Sequence, residues 1–305
     1  MAGLLQNMKP AGFIRAAPKA QPVGLPEENW SFEVPEGHRL QGIKIEHGDR
    51  IKTLSFTTEH KGALSFSNVF GRWEGGETVS MVTLDSDEEI VGVKVSLGLR
   101  GRSTYVSSLS FETNKTTHGP FGGPEDRVYS LPWDKGSLVG FYGTASDWAG
   151  GIGAIGVYLK AHEEIMMIGP WGSPYNLQTR WSFQLQGNQR LDTITIFVSG
   201  NATSQLTFNS SEKVSAQSGV TIAENVVLDV DEELIGVDGT VDTLPTRQTV
   251  ISSITFRTNK KFHGPFGNVK GTPFGVEWDA GSFAGFYGFH SLSFDGIGVY
   301  LKAMN

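Results

Sequence analysis

The segment SSLSFETNKTTHGPFG at residues 107–122 returns as SSITFRTNKKFHGPFG at residues 252–267, and no other feature limits the fold of this chain as tightly. At the same spacing GSLVGFYG (136–143) returns as GSFAGFYG (281–288). NWSFEV (29–34) is echoed by RWSFQL (180–185), and AIGVYLKA (154–161) by GIGVYLKA at the end of the chain (296–303). The repeated unit therefore spans about 140–150 residues, the size of one folded core. It is far longer than the units of solenoids, so each repeat is expected to fold on its own. The chain divides into an N-terminal arm (1–16), a first domain (17–161), a linker (162–166) and a second domain (167–305). The joining segment AHEEIMMIGP (161–170) is too short for a free tether, so the domains are expected to touch.

Within each repeat the pattern is that of strands. HRLQGIKIEHGDRIKTLSFTTE (38–59) alternates apolar and polar residues about a Gly-Asp pair, as a hairpin does. TVSMVTLD, IVGVKVSL and VSSLSFET continue the alternation, and no stretch keeps helical periodicity over three turns. With 39 Gly and 13 Pro to supply the turns, the reading is all-β, twice over.

Composition narrows the function classes. The net charge is −7 and no basic cluster is present, which argues against a nucleic-acid partner. The acidic runs DSDEE (85–89) and DVDEE (229–233) read as solvated turns. There is no cysteine, so disulfides, thiol catalysis and thiolate metal sites are excluded. No apolar run reaches the roughly 18 residues of a membrane helix, and no membrane partner is expected. Lys9, Pro10 and Arg15 break the apolar residues near the N-terminus, which makes a poor secretory signal. A cytoplasmic or nucleocytoplasmic protein is expected, although the absence of acids before Glu27 leaves a transit peptide open. Without an export signal, the sequons at Asn114, Asn201 and Asn209 carry little weight.

Few residues suggest catalysis. HGPFG (118–122 and 263–267) puts a His before Gly-Pro, but no Ser or Cys partner stands at a recognisable spacing, and the segment reads as a turn. Trp30, Trp133, Trp181 and Trp278 recur in register, as core residues would. Glu277 and Asp279 form a carboxylate pair of the kind a glycosidase needs, yet the first repeat has Pro132 and Asp134 there. That weakens the reading of the chain as an enzyme.

In order and spacing, IGPWG (168–172), the two SFETNKTTHGPFG-type segments and the GFYG…AIGVYL and GFYG…GIGVYL endings resemble the jacalin-related lectins, over nearly all of both repeats. The resemblance implies two tandem β-prism domains, each of three four-stranded Greek-key sheets, with a sugar site where loops meet at one end; it implies no catalytic residue, cofactor or metal, and so no enzyme. In that family a Gly-X-X-X-Asp loop before the last strand supplies two amides and a carboxylate, and a glycine-rich first loop supplies another amide. The chemistry is sound: an ionised Asp takes two hydroxyl donors, and glycine lets the main chain approach a sugar. Carried onto the second domain, the pattern puts Ser291 in the usual Gly position, amide donors at Leu292 and Ser293, then Phe294, the carboxylate at Asp295 and the first-loop glycine at Gly172. A competing reading makes Asp295 a turn residue capping the last strand.

The first domain departs from this pattern. Asp295 answers to Gly153, and the loop TASDWAGG is three residues longer, with Asp147 and Trp148 further out. Gly24 is retained in its first loop. Either Asp147 and Trp148 form an altered site with Gly24, or the first domain is scaffold or a partner surface. Galactose-preferring relatives depend on a freed N-terminal glycine amine, and no processing signal is evident before Gly172. The resemblance thus points to the mannose/glucose-preferring branch of plants, to mannose- or glucose-containing glycans as partners, and to a homo-oligomer, dimer or larger, for agglutination. The alternative is an adaptor or enzyme-binding module with vestigial sugar binding.

Overall fold

The computed structural model describes residues 13–18, 28–72, 75, 78–100, 103–123, 127–146, 150–172, 179–186, 189–199, 202–208, 222–245, 248–291 and 293–303. All its regular elements are strands. The first domain contains β1 (Phe13–Ala17), β2 (Glu28–Glu33), β3 (Arg39–His47), β4 (Ile51–His60), β5 (Ala63–Phe66), β6 (Phe70–Gly71), β7 (Thr78–Thr83), β8 (Ile90–Arg100), β9 (Ser103–Thr113), β10 (Thr117–Gly122), β11 (Val128–Asp134), β12 (Gly136–Ser146) and β13 (Gly151–Ala161). The second contains β14 (Met166–Gly172), β15 (Thr179–Gln184), β16 (Thr193–Ser199), β17 (Ala202–Phe208), β18 (Ile222–Val227), β19 (Leu234–Thr243), β20 (Thr249–Thr258), β21 (Phe262–Gly267), β22 (Thr272–Trp278), β23 (Gly281–His290) and β24 (Phe294–Ala303).

Each domain is a prism of three antiparallel sheets. In the first these run β2-β12-β13-β1, β5-β4-β3-β7 and β10-β9-β8-β11; the second repeats them as β15-β23-β24-β14, β17-β16-β18 and β21-β20-β19-β22. Alternation directs one face of every sheet inward. Phe56, Phe111 and Phe141 come one from each sheet and meet inside the first prism. Phe141 stacks on Phe56 at 4.9 Å and takes Phe111 edge-on at 5.9 Å. Phe256 and Phe286 repeat the edge-on contact in the second prism at 5.9 Å. Burial of each ring contributes about 1.5–3 kcal/mol. Trp30, Trp133 and Trp278 are buried as expected, and Trp181 packs against the core from a partly exposed position.

The two prisms are sewn together. β1 pairs with β22 (Ala16 opposite Trp278), and β14 pairs with β11 (Ile168 opposite Trp133). Trp278 and Trp133 are repeat equivalents, so these two seams are related by an internal pseudo-two-fold. Each seam fuses a sheet of one domain to a sheet of the other, giving two eight-stranded sheets. Around the seams, Trp171 Nε1 donates to Ser130 O at 2.8 Å, and Arg15 Nε donates to Asp279 Oδ1 at 2.7 Å.

Three sequence expectations are corrected. Residues 13–16, assigned to an arm, belong to β1, whose Ile14 and Ala16 are fully buried. The assigned linker likewise ends inside β14, at Met166. HGPFG is not a turn but part of the edge strands β10 and β21, with a register irregularity at Gly-Pro. Proline is tolerated there because an edge strand has no neighbour awaiting its N–H. The histidines have structural partners: His118 Nε2 lies 2.9 Å from Glu88 Oε1, and His263 Nε2 lies 2.9 Å from Glu232 Oε1.

Candidate functional site

The last strand of each domain carries a bulge at the same place. On β24, Gly296 lies opposite Phe289 and Phe294 opposite His290, so Asp295 is the extra residue with no partner on β23. On β13, Ala154 lies opposite Thr144 and Ile152 opposite Ala145, which makes Gly153 the extra residue. The register thus pairs Asp295 with Gly153, as counting back along the last strands predicts. A bulge bends its strand and re-aims the extra side chain. In the second domain that side chain is a carboxylate; in the first there is none.

Four of the eight sequence-predicted site residues are described and lie together. Gly172 pairs with Gly296 on the far side of β24, beside Asp295. Its φ is +99°, and a Cβ added there would stand 2.2 Å from the Asp295 carbonyl oxygen, so only glycine fits. Phe294 points inward, its ring 5.4 Å from that of Trp181, and anchors the strand just before the bulge. Ser293 O accepts from Ser291 N at 3.0 Å, closing a tight turn at the tip. Ser291 is not among the described residues with positive φ, so serine replaces the expected glycine without backbone strain. Leu292 lies outside the described residues, as do Gly24, Asp147 and Trp148 of the altered first-domain site.

Asp295 is fully buried. Its Oδ1 accepts from Gln248 Nε2 at 2.8 Å, and the same nitrogen donates to Ser291 Oγ at 2.6 Å. Gln248 stands at the foot of the β19–β20 loop, where Leu244 N donates to Gln248 O at 2.8 Å. Sequence reasoning missed this residue, because its approach to Asp295 depends on how two distant loops curl together. The only available signal was its place in the repeat, opposite Ser103.

What the arrangement offers is an acceptor carboxylate on a bent strand, a glycine holding the main chain open beside it, and a polar tip. Among the described residues no cluster of His, Asp or Glu could hold a metal. Glu277 forms an ion pair with Arg257, and Asp279 pairs with Arg15 across the first seam.

Comparison with known proteins identifies the family. The family model described as Jacalin-like lectin domain matches residues 20–158 and again 168–300. A mannose/glucose-specific lectin of Parkia pendula is 26% identical over 98% of this chain and 67% of its own length. An agglutinin of Castanea crenata is 26% identical over 90% of this chain and 94% of its own. Among solved structures, a Malaysian banana lectin covers 48% of this chain and 99% of its own, at 27% identity and a TM-score of 0.40. With the repeats, the two prisms and two matches spanning most of its length, the chain belongs to the jacalin-like lectin domain family.

Proposed function

We propose that the chain is a lectin that binds mannose- or glucose-containing glycans non-covalently, through the loop end of its second domain. The observation that carries this reading is the placement of Asp295 on the extra residue of the β24 bulge, next to Gly172. An ionised carboxylate there accepts hydroxyl hydrogens from one edge of a pyranose. The main-chain amides of Leu292 and Ser293 serve as donors to sugar oxygens. Relatives named mannose/glucose-specific lectins supply the sugar class.

In the first domain Gly153 removes the carboxylate, which favours a scaffold or partner-binding role there. A single shallow site binds weakly, and useful avidity then requires a second copy of the chain. The test is calorimetric titration with methyl α-mannoside, alongside Asp295→Ala. One site per chain, lost in the variant, is expected. A site that survives Asp295→Ala would assign binding to the longer loop around Asp147 and Trp148. Silence toward mannose, glucose and galactose would leave the adaptor reading in its place.

A further inference from the structure

We infer that Gln248 sets the affinity of the second-domain site by competing with sugar for Asp295, an inference that rests on the lectin reading above. Three observations point to it. First, the carboxylate that is to receive sugar hydroxyls has no exposed surface, and Gln248 Nε2 sits on its Oδ1 at 2.8 Å. The amide occupies an acceptor position of that oxygen, so a hydroxyl that takes the same position must displace it. Second, the glutamine amide bridges Asp295 and Ser291, at 2.8 and 2.6 Å. A primary amide carries two N–H donors, as a sugar edge carries two O–H donors. The arm imitates the ligand, and the two are mutually exclusive. Gln248 is itself only half-buried, at a loop, so the arm has somewhere to go.

Third, the first domain supplies an internal control. By the repeat, Gln248 answers to Ser103 and Asp295 to Gly153. Where the carboxylate is gone, the amide that would cap it is gone too. Ser103 is fully buried, and its hydroxyl has no partner among the described residues. Carboxylate and amide are present together in one repeat and absent together in the other, as expected if the glutamine's task concerns Asp295.

A site whose competent state is only fractionally populated shows its intrinsic dissociation constant divided by that fraction. A hydrogen bond to a carboxylate is strong enough to hold the closed state about tenfold over the open one. The ligands favoured are pyranoses that present two neighbouring hydroxyl donors and so replace both bonds of the amide at once.

The experiment is calorimetric titration of the full chain with methyl α-mannoside in three forms: native, Gln248→Ser, which installs the first domain's own residue, and Gln248→Ala. Both variants are expected to bind about tenfold more tightly with unchanged stoichiometry. On the native chain, the side-chain amide resonances of Gln248 are expected to move to solvent-like positions at saturation. Native binding with unchanged or weakened affinity in both variants, or an amide that stays put at saturation, would overturn the inference and leave Gln248 a fixed support. Silence of all three forms toward methyl α-mannoside and methyl α-glucoside is a different outcome: it would overturn the lectin reading itself. Binding in the variants alone would be the strongest support for both.

Discussion

Gly172 and Asp295 show how little separates a built site from an unbuilt one. Gly172 is held at φ +99° with the Asp295 carbonyl where a Cβ would go. Gly172→Ala must therefore push β24 away or rotate its own backbone, at a cost of about 2 kcal/mol or more. The expected result is a lower urea midpoint with an unchanged slope, together with weaker sugar binding, since the displaced strand carries Asp295. Loss of binding without loss of stability would show that Gly172 acts on the ligand directly instead of through the strand. Trp171, one residue earlier, offers a milder test. Trp171→Phe keeps the stacking on Phe274, whose ring lies 4.9 Å away, but removes the bond to Ser130 O. A loss of about 1 kcal/mol in chemical denaturation is expected.

Among the elements, the ends of the prisms opposite the bulges are fastened by a repeated constellation. Thr113 Oγ1 donates to Glu88 Oε1 at 2.7 Å and His118 lies 2.9 Å away; Thr258 donates to Glu232 Oε1 at 2.7 Å with His263 at 2.9 Å. In Glu88 the bonds from Thr113 and His118 lower the carboxyl to about 2. In Glu232 burial works upward, but the bonds from His263 and Thr258 prevail and again lower it to about 2. Folded values below the ordinary one of 4.5 mean that this stabilisation is full above about pH 4.5 and is lost as pH falls toward 2. The melting temperature is expected to drop steeply over that window, and more gently in Glu88→Gln and Glu232→Gln. Equal slopes in native chain and variants would place the acid sensitivity elsewhere. The same region shows what could be read from sequence. The HGPFG repeat marked an equivalent element in each domain, but Gly-Pro favours turns and edge strands alike, and only pairing distinguishes them. FIRAA (13–17) was missed as β1 because its likeness to IMMIG (165–169) lies in buried positions, Ile14 and Ala16 against Met166 and Ile168, not in identities. The alternating strands and the bulge carboxylate were legible, since both are set by local period and register. Gln248 was not, since nothing local fixes which loop tips meet.

At the scale of the whole molecule, the seams join the domains through main-chain hydrogen bonds and buried tryptophans. Trp133 and Trp278 are 5% and 3% exposed, so parting the domains would expose large apolar surface. A single calorimetric unfolding transition is therefore expected, and two resolved transitions would show that the seams are weak. Each domain carries both kinds of edge, one like β1 and one like β11. The second domain expressed alone is expected to pair with itself, β14 to β22, and to run as a dimer in light scattering. A well-behaved monomer would mean that the seam depends on features unique to the intact chain, such as the Arg15–Asp279 pair.

Strand direction at the seams has a further consequence. β1 runs toward the loop end of the first prism and β22 runs away from the loop end of the second, and the two are antiparallel. Both loop ends therefore open on the same side. The molecule is polar, with a front that carries Gly153 and Asp295 and a back that carries Glu88 and Glu232. On the lectin reading proposed above, a glycan-coated surface would meet the whole front while the back looked outward, and bridging two such surfaces would take two molecules set back to back.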